Sequence, residues 1–199
     1  MQDILAWQPK LVVEAAGQTA LVQHGACILD AGVPLIAASV GALADDSLHR
    51  ALMAAAQRGE TQLHIPAGAI AGIDALAAMP DPVQVTYTGT KPSHAWPDGT
   101  PEGTFFEGTA REAARQYPKN ANVAATLALA VDGFDKTSVR LVSDPQAKGN
   151  SHAWIGSGGG SEISVSVRNV PTAHNPGSSA LTIHSLHRTV RNLTLAIAL

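Results

Sequence analysis

The stretch KLVVEAAGQTALVQHGACILDAGVPLIAASVGAL (Lys10–Leu43) changes its hydrophobic rhythm twice, and those changes decide the fold. KLVVEAAG (Lys10–Gly17) is a short apolar run ending in small residues, the pattern of a strand buried on both faces of a parallel sheet. QTALVQHGACILDAG then has the spacing of an amphipathic helix closed by Gly32. VPLIAASVGAL is a second buried strand. The same alternation continues downstream. ADDSLHRALMAAAQRG reads as a helix with Asp45 and Asp46 in its first turn, where the helix dipole favours acids, and it stops at Gly59. TQLHIPAG is a third strand. Strand, helix, strand, helix, strand is the order of a doubly wound parallel sheet.

The character changes after GAIAGIDALAAMP, itself read as a helix. VQVTYTGTKP (Val83–Pro92) alternates apolar and polar residues and predicts a strand with one open face. SHAWPDGTPEGT is a Pro/Gly-rich loop. AREAARQYPKNANVAATLALA gives two helical pieces broken at Pro118, TSVRLVSDP a strand, and SEISVSVRNVPT (Ser161–Thr172) a full alternating strand. GSGGG (Gly156–Gly160) reads as a hairpin or flexible loop, and a last helix follows NPGSSALT. Strands with exposed faces, with helices on one side, make this half an α+β domain. The boundary is placed near residue 80.

Composition narrows the function. Of 199 residues, 45% are apolar, enough for a sizeable core. Net charge is −3 with no basic run, which argues against a nucleic-acid surface. A single cysteine, Cys27, excludes an internal disulfide and fits a reducing cytoplasm. No apolar run approaches the ~20 residues of a membrane span, and the N-terminus has no signal-peptide pattern.

Ligands of open α/β sheets bind at the carboxyl ends of the strands. Here those ends read EAAG, AASVGA and PAGAIAG, small enough for backbone to approach a ligand or for tight strand–helix packing. The phosphate-binding pattern G-x-G-x-x-G is absent. His184 and His187, three apart on a helix, do not make a metal site without further ligands, and no metal is expected. His152, read as lying in a loop after a strand and beside Asn150, is the acid–base candidate. HNPGSSALT (His174–Thr182) is a helix start with surplus hydroxyls, suited to capping or to a carboxylate. YPKNAN raises a question of its own: one Asn would cap the following Ala/Leu helix, and a second is left over.

In their order, the segments VVEAAG, SVGALAD, PAGAIAGIDAL, YTGTKPSHAW, FEGTAREAARQYPKNANVAATLALA, VRLVSDP, NSHAW and NPGSSALTIHSLHRTVRN resemble the L-aspartate dehydrogenases, from about residue 9 to the C-terminus. The resemblance implies NAD(P)-dependent interconversion of L-aspartate and iminoaspartate, with oxaloacetate and ammonia as end products, serving NAD biosynthesis. It implies that Asn122, the second Asn of KNAN, and the Ala69 N–H contact the dinucleotide, with cofactor also beside Ala16, Gly17 and Ser39. It assigns His152 as the active-site residue, with Asn150 orienting it. For the substrate dicarboxylate we select Asn150, Asn175, Ser178, Ser179 and Thr182, with Lys119 as a source of extra charge.

The expected architecture is a partial Rossmann-type domain over residues 1–80 and an α+β catalytic and dimerisation domain over 81–185. Residues 186–199 form a helix end and tail packing back on the chain. Against the family pattern the chain starts beyond the first strand, first helix and second strand, so weak binding of NAD or NADP is expected. The expected partners are the small-molecule substrate and further copies of the chain in a homo-oligomer, in the cytoplasm, without nucleic acid or membrane. Two alternatives remain open: a related amino-acid or semialdehyde dehydrogenase, and an inactive remnant that only dimerises.

Overall fold

The computed structural model describes residues 2–170 and 179–198. The chain divides into two compact units, Met1–Pro66 with Leu186–Leu199, and Ala67–Ser185.

In the first unit, a short helix α1 (Gln2–Ala6) precedes β1 (Val12–Glu14), α2 (Gln18–Asp30), β2 (Leu35–Ala37), α3 (Asp46–Arg58) and β3 (Leu63–His64). The strands form a parallel sheet in the order β1-β2-β3, with Val13 opposite Ile36 and Leu35 opposite Leu63. The central strand β2 is buried along its whole length, as its apolar run requires. α2 and α3 pack closely because position 25 has no side chain. A Cβ on Gly25 would stand 2.8 Å from Leu52 Cδ2. Asp45 caps α3 by accepting from the Ser47 and Leu48 amides.

The second predicted strand is cut short. β2 stops at Ala37, and Val40–Ala44 turns into a 3-10 helix. The cause is Glu14, an acid at the end of a buried strand and only 8% exposed. One carboxylate oxygen, Oε1, accepts from the Ala16 and Gly17 amides at 2.8 Å each and from Ser39 Oγ at 3.1 Å. The other, Oε2, accepts from the Ser39 amide at 3.1 Å. Glu14 thus ties the turn after β1 to the turn after β2 and bends the chain out of the sheet. The third strand is shorter still, since Pro66 has no N–H for a ladder.

The second unit contains α4 (Ile73–Ala77), β4 (Gln84–Lys91), β5 (Gly103–Thr109), α5 (Ala110–Gln116), α6 (Asn122–Ala130), β6 (Thr137–Ser143), β7 (Asn150–Gly158), β8 (Ser161–Asn169) and the start of α7 (Ala180–Thr194). Its sheet has the order β5-β6-β4-β7-β8. The pair β4–β6 is parallel and the other three pairs are antiparallel. Val85, Tyr87, Gly89 and Lys91 of β4 share the buried face, with α6 packed over β4 and β6. Gln84 and Thr86 are exposed on the other face, the open face that alternation predicted. The GSGGG segment is the β7–β8 hairpin, turning at Gly159–Gly160.

Three details differ from the sequence expectation. β5 begins in the expected loop, at Gly103 and Thr104, and runs through Phe105–Thr109, to which the sequence pattern assigns no element. It pairs with β6 across an irregularity between Thr104 and Phe106, which blurs its alternation. The helix expected over residues 68–80 shrinks to Ile73–Ala77, because Gly72 sits left-handed at φ 77° just before it. The units separate after Pro66, not near residue 80. Residues 67–80 join the second unit because α4 packs on α6 and Asn169 Nδ2 donates to the Ala69 carbonyl at 3.0 Å.

Glu14→Ala is expected to strand buried amide groups and cost the first unit about 2–3 kcal/mol. Denaturant unfolding measures this. An unchanged midpoint would show that Glu14 is not the tie between the two turns.

Candidate active site

His152 lies within β7, between two neighbours. It stands opposite Gly89 of β4 and Val167 of β8. The sequence placed it in a loop. KGN, ahead of it, reads as loop, and NSHAW is too short to show its own alternation. The ladder on both sides makes this backbone far more rigid than a loop would be. His152 is 4% exposed, and its Nδ1 lies 2.8 Å from the Tyr87 hydroxyl.

Position 89 makes that contact possible. Tyr87 and Gly89 are on the same face of β4, and the Tyr87 side chain leans along the strand across Gly89. A Cβ at position 89 would meet Tyr87 Cζ at 3.0 Å and clash still harder with its hydroxyl. Tyr87 itself is 2% exposed, and burial pushes its hydroxyl above the usual tyrosine range. It stays protonated near neutrality and serves as a neutral hydrogen-bond partner.

One step further along the buried face is Lys91, the last residue of β4 and only 6% exposed. Its Nζ donates to Asn120 Oδ1 at 2.6 Å and lies 4.9 Å from the centre of the Trp96 ring. Trp96 is fixed in turn by an Nε1–H bond to the Val142 carbonyl. Burial pushes the Lys91 ammonium down to about 8. Burial first, and the Lys91 charge second, push His152 down to about 3. At pH 7 the imidazole is therefore neutral, well below the near-neutral titration expected of an ordinary histidine.

The other selected residues are placed as follows. Asn150, the first residue of β7, is 2% exposed, and its Nδ2 donates to Ser179 Oγ at 3.3 Å. The partner of His152 Nδ1 is thus Tyr87, while Asn150 joins Ser179. Thr182 is in the first turn of α7, its amide bonded to the Ser179 carbonyl. Asn175 and Ser178 lie outside the described residues.

Asn122 is the first residue of α6. The cap position is Ala121, which makes no side-chain cap bond. Asn120 accepts from Lys91. Ala69 is 6% exposed, its carbonyl held by Asn169 Nδ2, and no protein acceptor among the described residues takes its N–H. A buried peptide group with a spare, oriented donor fits a dinucleotide. In the first unit, the Ala16, Gly17 and Ser39 amides are all taken by Glu14. Lys119 is exposed.

Two residues were missed from the sequence, Tyr87 and Lys91. The signal for Lys91 was available: it has the parity of Val85 and Tyr87, so a lysine falls where the strand's buried side chains fall. Among the described residues, no group of His, Cys, Asp and Glu could hold a metal ion, and no helix is long and apolar enough to cross a membrane.

Known proteins match both units. Residues 73–193 match the family described as "Aspartate dehydrogenase, C-terminal", and residues 1–66 match "Homoserine dehydrogenase, NAD binding domain". L-aspartate dehydrogenase 2 of Bordetella pertussis is 46% identical over 96% of this chain and 76% of its own length. The L-aspartate dehydrogenase of Pseudomonas aeruginosa is 44% identical over 96% and 77%. A crystal structure of aspartate dehydrogenase from Thermotoga maritima superposes with a TM-score of 0.83 at 31% identity, covering 96% of this chain and 78% of that one.

The burial of neutral His152 has a sign that can be tested. Its folded pKa is depressed, so between about 3 and 6.5 the unfolded chain binds the extra proton. This group's contribution is present above pH 6.5 and is lost as pH falls. On going from pH 7 to pH 5, the protein should lose about 2 kcal/mol more stability than His152→Gln. Parallel denaturation at the two pH values checks it. Equal losses would mean that His152 titrates freely.

Proposed function

The chain belongs to the aspartate dehydrogenase family of oxidoreductases, and on that premise we propose that it oxidises L-aspartate to iminoaspartate, which water converts to oxaloacetate and ammonia. NAD or NADP is the cofactor, in keeping with the NAD-binding match of residues 1–66. The observation that carries the proposal is a neutral His152 on a doubly paired strand, held by Tyr87 and beside a buried cation.

When bound, the nicotinamide supplies the hydride acceptor; the chain supplies position and proton handling. In this reading the Ala69 N–H and Asn122 of the second unit hold the cofactor. Ala16, Gly17 and Ser39 of the first unit do so through the backbone shape that Glu14 imposes. Asn150, Ser179 and Thr182 contact substrate carboxylate, as do Asn175 and Ser178.

His152 Nε2 takes a proton from the substrate ammonium, or from the water that attacks the imine. For that, Nδ1 must carry the ring's hydrogen and donate it to Tyr87 Oη. The imidazolium so formed keeps both N–H groups, with Tyr87 as acceptor for one. The Tyr87–His152 contact supports this role because it fixes the orientation of the ring and its phenol oxygen can accept from Nδ1–H.

Assembly into a homo-oligomer belongs to the same proposal. It is supported by the uncovered face of the five-stranded sheet, where Thr86, Ala153 and Ile155 are exposed. In this reading the reaction is cytoplasmic and its product feeds pyridine nucleotide biosynthesis.

His152→Ala should lower kcat for L-aspartate oxidation by about 10²–10⁴-fold. Cofactor affinity should stay near that of the parent protein. Reduced-nucleotide absorbance gives the rate and fluorescence titration the affinity. A variant with unchanged kcat and raised KM would place His152 in substrate binding instead. Failure of the parent chain to oxidise L-aspartate with either nucleotide would contradict the proposal.

A further inference from the structure

Lys91 is a buried cation in search of an anion. Its ammonium has an amide oxygen and an indole face as neighbours. Among the described residues no carboxylate pairs with it. Asp144 follows Ser143, the β6 residue opposite Lys91. Its amide donates to the Lys91 carbonyl, while its own carboxylate accepts from the Gln146 amide, turned to a different task. At the neighbouring β6 position stands Ser143, whose hydroxyl donates to Ser93. The titratable groups sharing this face of the sheet are His152 from β7 and Tyr87 from β4.

A lysine kept only to hold Asn120 would be a poor structural choice. Burying an ammonium costs more than one neutral hydrogen bond and one ring face return. The cost is visible in the depressed proton affinity of Lys91. It is recovered if an anionic ligand completes the site. Lys91 and His152 also feel each other, since the lysine charge is one of the two causes that disfavour a proton on His152.

We propose that Lys91 receives a carboxylate of a C4 dicarboxylic substrate, and that this pairing is what lets His152 hold a proton. The inference rests on the dehydrogenase reading for the substrate's class and goes beyond it in assigning the cation and its effect on the base. An arriving carboxylate neutralises Lys91, removes the repulsion felt by an imidazolium, and so readies the base only when substrate is present. A monocarboxylate whose single acid group goes elsewhere in the site would leave Lys91 unpaired and His152 unreceptive.

Succinate is the probe, since it carries the two carboxylates and cannot be oxidised at an amine. In the full chain with isotope-labelled Lys and His side chains, saturating succinate should raise the NMR titration midpoints of both Lys91 Nζ and the His152 ring. In Lys91→Met, succinate affinity by calorimetry should fall by about 10²-fold, the usual loss on removing one partner of a buried charge pair. His152 should then titrate higher than in the parent without ligand, and succinate should no longer move it. The labelled parent protein decides the matter even if Lys91→Met fails to fold. Lys91 and His152 midpoints unmoved by bound succinate would overturn the proposal, as would unchanged succinate affinity in Lys91→Met. Aspartate oxidation measured alongside separates the two readings. Activity without these shifts sinks the Lys91 proposal alone. Shifts without activity leave a dicarboxylate site and sink the dehydrogenase reading.

Discussion

The hydrogen bond between Tyr87 and His152 depends on a residue with no side chain at position 89. Glycine inside a strand is costly in backbone entropy and leaves nothing to pack. At this position the missing Cβ is the room into which the Tyr87 ring leans, and the hydroxyl at its end reaches His152 Nδ1 at 2.8 Å. Register then does the rest. Gly89 stands opposite His152, and Lys91 follows two residues later on the same buried face. A tyrosine, a histidine and a lysine are thereby held close together by backbone ladders, with little conformational freedom left to lose on binding a ligand. Burial keeps the imidazole neutral and the phenol protonated, so the only charge of the group is on Lys91 at neutral pH.

The first unit solves a comparable problem with a carboxylate. Glu14 gathers three amides and a hydroxyl from two successive strand ends. The small residues after β1 and β2 suit close backbone approach to a ligand or tight packing. Their amides at Ala16, Gly17 and Ser39 are satisfied internally by Glu14, and what the turns offer is a fixed surface. Ala69 is the reverse case. Its carbonyl is held by Asn169 and its N–H is kept in reserve. The two motifs look alike in sequence, as runs of Ala and Gly, and differ only in which acceptor reaches them in space.

Much of the architecture was legible because periodicity reports burial. The three parallel strands, α2, α3 and the long alternating strands β4, β6 and β8 all follow their patterns. What escaped were features set by partners distant in sequence. β2 ends early because a carboxylate 25 residues away captures Ser39. β5 is a strand because β6 offers it an edge, not because GTFFEGT alternates cleanly. His152 read as a loop residue because its strand begins only two residues before it, at Asn150, after a bend at Lys148–Gly149. Lys91 went unremarked because a lysine at a strand end suggests solvent, and only its parity with Val85 and Tyr87 argues otherwise. The spare Asn of KNAN was visible as a surplus; that Asn120 bonds Lys91 was not.

The central claim is that Tyr87 and His152 act as one proton-handling unit, with Nδ1–H donated to the phenol oxygen as Nε2 gains its proton. Tyr87→Phe removes only that oxygen and keeps the ring that fills the space above Gly89. Steady-state kinetics of L-aspartate oxidation by this variant are the direct test. The account predicts a kcat lower by about 10–10²-fold, the worth of one hydrogen bond to a charged group, with KM and cofactor affinity nearly unchanged. A Tyr87→Phe protein that folds and turns over at the parent rate would contradict it.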